Sequence, residues 1–135
     1  MEVALVDTPF DGEDLSGTRF ERANMSMAQF DGVNLTDARF YAVLEGASFT
    51  DSNLAKARFG DVNLAGAAFE DVDLSGVTIT NANLSGVKIT RANLNGVLID
   101  GANLSGADIR NADLQGMRID GVLVSDLFAA YAAPN

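Results

Sequence analysis

The sequence predicts an all-β fold: a solenoid whose backbone winds about six times round a square cross-section and ends in a short helix. Three observations predict it. From Phe10 a large apolar residue recurs every five residues, with one four-residue step, through 24 positions to Val124. Two residues before each centre lies a second register, and 19 of those 24 positions hold Ala or Val. A finer period of ten separates two kinds of centre. One is mostly Leu preceded by Asn or Asp; the other is Phe up to Phe69 and Ile from Ile79 onward.

A period of five suits neither ordinary element. A helix repeats its face every ~3.6 residues and would smear the centres round its surface. A straight strand has a side-chain period of 2 and would send successive centres to opposite faces. All the centres reach one core only if the backbone turns a corner about every five residues. Four such corners close a coil of about twenty residues, and coils stack at strand spacing, ~4.8 Å. The small residue two before each centre also points inward, and Ala or Val is what the remaining space admits. Each coil buries too little to stand alone, so the stack is the unit of stability. Twenty-four centres at four per coil give six coils.

The elements follow in order. Residues 1–7, with "MEVALV", are the N-terminal cap and supply a capping strand over the first coil, whose apolar plug and strand edges need a cover. Residues 8–124 are the repeats. The second register departs from Ala and Val at Thr8, Glu13, Thr18, Ser52 and Met117; Glu13 suits an end that stays partly wet. Gly66, Gly76, Gly86, Gly96, Gly106 and Gly116 each follow a Leu centre by two, where a type II turn needs positive φ. The stretch "RFYAVLEGASF" shortens one step, between Phe40 and Leu44. It reads either as a deletion tolerated at one corner or as a defect that exposes Tyr41 as a contact point beside Arg39. Residues 125–135 are a capping helix and tail. Ser125 or Asp126 is the N-cap, Leu127, Phe128 and Tyr131 form one apolar face, and Pro134 stops it. That face covers the last coil, meets a second copy of the chain, or does both.

Composition narrows the chemistry. The 135 residues carry net charge −10 and no Cys or His, with a pI of about 4.1. A chain this acidic repels nucleic acid and anionic membranes and favours basic partners. Disulfides and thiol chemistry are excluded, and the commonest general base and metal ligand is missing. The start lacks a basic region followed by an apolar run, and no stretch is long and apolar enough to span a membrane. A cytoplasmic location is therefore expected. Ser and Thr fall at outward or corner positions with no His to activate them. Glu70 with Asp71, and Asp71 with Asp73, are pairs that read as solvated carboxylates, or as acid–base or metal groups on a fold with clefts. No phosphate loop is present. The expectation is a protein without catalytic residues, metal or cofactor.

The charges are patterned. Stacking every fourth centre places Arg19, Arg39, Arg58 and Arg118 in one column, interrupted by Thr78 and Leu98. Following the opposite centres come Asp11, Asp31, Asp51, and Glu70 with Asp71. Residues 1–74 hold 14 acids and 5 bases, a net of −9, whereas residues 75–135 hold 5 acids and 4 bases, a net of −1. Duplex DNA carries one charge per ~1.7 Å, roughly eight over the ~14 Å of three coils, so the N-terminal half matches DNA in linear charge density. Acidic faces also keep an edge-rich rod soluble.

The quintets "ANLSG", "ADLQG", "VNLAG" and "VDLSG" resemble the motif of the pentapeptide-repeat family, Ala-(Asp/Asn)-Leu-x-x, and the resemblance runs from about Thr8 to Val124. It implies a right-handed quadrilateral β-helix. Family members that protect DNA gyrase and topoisomerase IV from quinolones or natural poisons are acidic dimeric rods that look like duplex DNA, and their C-terminal helices form the dimer junction. If this chain resembles them in function, Asp11, Asp31, Asp51, Asp61, Glu70 and Asp71 are the phosphate surrogates, and Leu127, Phe128 and Tyr131 are dimer or cap residues. The partner is then gyrase or topoisomerase IV, with no direct contact to nucleic acid or membrane. Those relatives are longer rods, and here the C-terminal half is nearly neutral. The alternative is a scaffold module that docks another protein, with no topoisomerase involved.

Overall fold

A computed structural model describes residues 10–133. The capping strand expected in residues 1–7 lies outside the described residues. The strands in chain order are β1 (Phe10–Asp11), β2 (Arg19–Asn24), β3 (Gln29–Asp31), β4 (Arg39–Val43), β5 (Ser48–Thr50), β6 (Arg58–Gly60) and β7 (Ala68–Glu70). They continue with β8 (Thr78–Thr80), β9 (Lys88–Thr90), β10 (Leu98–Asp100), β11 (Asp108–Arg110), β12 (Arg118–Ile119) and β13 (Val122–Leu123), and the helix α1 (Val124–Ala132) follows. Odd-numbered strands β1 to β11 form one sheet of six; the even-numbered strands with β13 form a second sheet of seven. Successive partners are parallel and one coil apart: Phe10 pairs with Phe30, Phe30 with Phe49 and Phe49 with Phe69. The protein is a β-solenoid of about six coils.

The two sheets are opposite walls. On the other two walls single bridges join successive coils, as in Asn34–Asn53–Asp73–Asn93–Asp113 and Asn63–Asn83–Asn103. At these positions the side chain shapes the corner. Oδ1 of Asn34, Asn53, Asp73, Asn93 and Asp113 accepts a hydrogen bond from the backbone amide two residues on, at 2.9–3.0 Å. This Asx turn leads into a tight turn in which the amide three residues after each Leu returns to the Leu carbonyl, as Ala57 does to Leu54 at 2.9 Å. That explains why Asn or Asp precedes Leu.

The five-residue register is buried as the spacing predicts. Leu35, Leu44, Phe49, Leu54 and Leu64 are inaccessible to solvent, and so are Ala28, Ala38, Ala47, Ala57 and Ala67 two residues before centres. Phe rings stack along each sheet, 4.6 Å apart for Phe30 and Phe49 and for Phe40 and Phe59, and meet edge-to-face across the core at 6.2–6.5 Å. Ser52 fits an inward site because its polar atoms are paired: its hydroxyl donates to the Thr50 carbonyl at 2.8 Å and accepts from the Val33 amide at 3.2 Å. Glu13, in the first coil, is exposed.

The C-terminal end differs from expectation in two respects. The coil stops at Ile119. Asp120 and Gly121 both have positive φ, 51° and 81°, the geometry of a two-residue hairpin turn, and β13 folds back antiparallel on β12 with Ile119 opposite Val122. Val124 is therefore not a wall centre; it is a buried plug at the start of the helix. The helix then begins at Val124, two or three residues earlier than an N-cap at Ser125 or Asp126 implies. Leu123 is the N-cap, and no side chain caps the helix, so neither Ser125 nor Asp126 has that role. Ala133, the C-cap, is extended at φ −67° and ψ 135°, as the residue before a proline must be.

Candidate interaction faces

The solenoid presents faces, and the question is which groups each face brings together. On the outside of the first sheet the register is Asp11, Asp31, Thr50, Glu70, Thr90, Arg110. Asp11 and Asp31 are thus neighbours on adjacent rungs, with Thr50 next. Asp51 does not stand in that column. It lies one residue further on, at the corner, where Asp71 and Arg91 follow it at coil intervals. These corner residues have left-handed backbone, with φ of 50° at Asp51, 55° at Asp71 and 53° at Arg91. Asp and Asn tolerate this conformation better than most side chains, so Asp51 and Asp71 have a structural reason to be acidic-type residues.

Asp61 is elsewhere. It follows β6 at the corner of the opposite sheet, with φ of 50°, and its amide bonds the Thr80 carbonyl at 3.0 Å. The six acidic candidates therefore do not form one surface: five lie along the β1–β11 wall and its corner, and Asp61 is on the far side.

Arg91 changes the electrostatics of the five. Its Nε donates to Asp71 Oδ1 at 2.8 Å, and its Nη2 to Glu70 Oε2 at 2.9 Å and Asp71 Oδ2 at 3.1 Å. The guanidinium hydrogen bond holds the Asp71 carboxyl below its usual range, outweighing the opposing effect of desolvation. The Arg91 guanidinium is correspondingly raised, chiefly by the Asp71 hydrogen bond. One cation on the next coil thus offsets two of the candidate anions. The signal was in the sequence, since Arg91 stands twenty residues, one coil, after Asp71. Among the described residues no cation pairs with Asp11, Asp31 or Asp51 on consecutive rungs, and Asp31 Oδ1 accepts a hydrogen bond from the Thr50 hydroxyl at 3.2 Å. Asp14 nearby is held below the usual range by the Ser16 backbone amide.

The opposite face carries the arginines. The register Arg19–Arg39–Arg58–Thr78–Leu98–Arg118 confirms the column read from the spacing. Among the described residues the ion pairs are Arg91 with Glu70 and Asp71, and Arg110 with Asp108 at 2.9 Å; Arg19, Arg39 and Arg58 take part in none.

The apolar face of the helix is not the lid. Leu127 is 45% exposed, Phe128 59% and Tyr131 92%, whereas Val124 at 6% and Met117 at 1% fill the end of the core. Leu98 and Val122 add exposed apolar surface on the second sheet. Among the described residues no group of carboxylates could hold a metal ion, and no helix is long and apolar enough to cross a membrane.

Comparison with known proteins agrees with this geometry. A sequence profile described as "Pentapeptide repeats (8 copies)" matches residues 41–64, 57–96, 79–116 and 88–126, and another, "Pentapeptide repeats (9 copies)", matches residues 5–45. Among curated proteins, none matches the chain by sequence. Among solved structures, a pentapeptide repeat protein (Rfr23) from the cyanobacterium Cyanothece 51142 superposes with a TM-score of 0.71 at 22% identity, over 83% of this chain and 87% of that one. A pentapeptide repeat protein of the Arabidopsis thaliana thylakoid lumen is 36% identical over 72% of this chain and 65% of its own, with a TM-score of 0.56. QnrB1, a plasmid-mediated fluoroquinolone resistance protein, aligns over 94% of this chain and 97% of its own at 18% identity and a TM-score of 0.37. With the profiles spanning nearly all of the repeats, the chain belongs to the pentapeptide-repeat family.

Proposed function

We propose that the protein is a non-enzymatic binding rod whose acidic wall is read by a partner as duplex DNA is read. The observation that carries this is the run Asp11, Asp31 and Asp51, carboxylates on three consecutive rungs with no cation paired to them among the described residues. Rungs repeat at ~4.8 Å, and one DNA strand carries a charge per ~3.4 Å, so the two present similar fields to a basic groove. The most concrete partner is DNA gyrase or topoisomerase IV, in the cytoplasm. The exposed Leu127, Phe128 and Tyr131 then join two copies into a longer rod. The test is a gyrase supercoiling assay with and without a quinolone. Inhibition or protection is expected, and it weakens when Asp11, Asp31 and Asp51 are changed together to Asn. Asn keeps the left-handed backbone at Asp51 where Ala would strain it. No effect at about 50 μM protein, enough to populate even a weak complex, would sink the idea.

One observation favours a second reading, a scaffold that docks some other protein. Arg91 offsets Glu70 and Asp71, which shortens the acidic run to half the rod. That reading predicts a specific partner whose binding ignores the Asn substitutions.

A further inference from the structure

Coil two contains the one short step of the repeat. In coil three the chain runs Phe59, Gly60, Asp61, Val62, Asn63, Leu64, and Asp61 turns the corner at φ 50°. In coil two it runs Phe40, Tyr41, Ala42, Val43, Leu44. Ala42 is buried in the inward place that Val62 has one coil on, Val43 bridges to Asn63, and neither Tyr41 nor Ala42 has the positive φ of a corner. β4 therefore runs straight through, whereas β2 on the preceding coil keeps the ordinary corner at Arg22, φ 54°, so that Arg22 has no partner on β4 and the register shifts there.

The wall is dented as a result. β4 and β6 pair only as far as Phe40 with Phe59, whereas β6 with β8 and β8 with β10 pair one residue further. The Asn63 amide reaches the Ala42 carbonyl at 3.4 Å, against 2.9–3.1 Å for the same bond at Asn53, Asp73, Asn83 and Asn103. Two adjoining recesses, about 400 and 280 Å³, flank Tyr41. Tyr41 is 47% exposed and Val43 39%. Val43 stands where neighbouring coils have Asn24 and Asn63, so an apolar patch replaces an Asx turn.

Beside this patch run Arg39 and Arg58 on adjacent rungs, continued by Arg19. Like charges held in register without a partner repel, and they attract an anion. Glu21 and Asp61 also border the recess. They disfavour a polyanion and leave room for an isolated carboxylate.

We propose that this recess docks a segment of a partner protein in which one carboxylate side chain stands beside an aromatic one. The carboxylate lies across Arg39 and Arg58, and the aromatic ring lies on Tyr41 and Val43. The surface is on the sheet opposite Asp11 and Asp31, so it stands or falls separately from the acidic wall.

The test uses the full chain, isotope-labelled for NMR and titrated with a blocked glycine-phenylalanine-glutamate-glycine peptide. Saturable shifts confined to residues 39–43 and 58–61 are expected. The glutamine counterpart should bind about tenfold more weakly, the size of a lost charged hydrogen bond. Inserting one Asp between Tyr41 and Ala42 restores the five-residue step; this variant should fold and lose the peptide. A second variant, Arg39→Gln with Arg58→Gln, alters only exposed side chains and should lose it too. Equal binding of both peptides, undiminished binding by either variant, or no localised shift at about 5 mM peptide overturns the proposal.

Discussion

Phe49→Ala probes the stack where it is most constrained. Phe49 is inaccessible to solvent. Its ring stacks on Phe30 at 4.6 Å and Phe69 at 4.7 Å, nearly parallel to both, and meets Phe40 and Phe59 edge-on at 6.2 and 6.5 Å. Core Phe→Ala substitutions cost ~3–5 kcal/mol, more where the surroundings cannot collapse. Here the rungs above and below are pinned by ladder hydrogen bonds, and four aromatic contacts worth ~0.5–1.5 kcal/mol each are lost, so the expectation is the top of that range, about 5 kcal/mol. Phe10 supplies the control. It belongs to the same column but is half-buried and stacks on Phe30 alone, at 4.7 Å. Full burial of a Phe contributes ~1.5–3 kcal/mol, so Phe10→Ala should cost about 1 kcal/mol. Urea unfolding followed by far-ultraviolet circular dichroism gives both values from midpoint and slope. Equal losses would mean that the aromatic column does not hold the middle coils together.

Three further outcomes are expected. Leu64→Asp places a charge in the dry centre and should unfold the protein, whereas Ser105→Asp on an exposed corner shifts stability by about 0.5 kcal/mol or less; similar melting temperatures would refute the inward assignment. Asp61→Ala should cost about 1 kcal/mol through the left-handed backbone while Asp61→Gly does not, measured by the same urea titration. Arg91→Met should raise the Asp71 pKa toward its ordinary value, read by NMR titration of the carboxyl. Because the Arg91 contact depresses that pKa, its stabilisation is present above the unfolded value near 3.9 and is lost as pH falls through the folded one. The variant should therefore lose less stability than the natural chain on acidification to about pH 3.

The core was legible because five-residue spacing has one geometric solution. Each inward residue is identified by its place in the period, and the burial of Leu35 to Leu64 follows from it. The C-terminal end was not read correctly, although Asp120-Gly121 is the dipeptide of a tight hairpin; Val124 happens to continue the spacing and masks the reversal. The acidic face was read only in part. Asp51 sits two residues past its centre, not one, and that single step moves a side chain from the wall to the corner. Asp61 belongs to the opposite wall for the same reason of counting. Arg91 was missed because partners one coil apart are distant in sequence yet adjacent in space. Tyr41 was noted as a contact point; the recess beside it depends on strand pairing, which composition does not encode.

The reversal after Ile119 has a consequence for how such a protein can lengthen. Strand β13 runs against the grain of every other rung and occupies the place a seventh coil would take. New twenty-residue modules can be spliced upstream, each adding a storey, but none can be appended beyond this terminator. A chain cut before Asp120 would leave a bare parallel rim, open to the rim of another molecule.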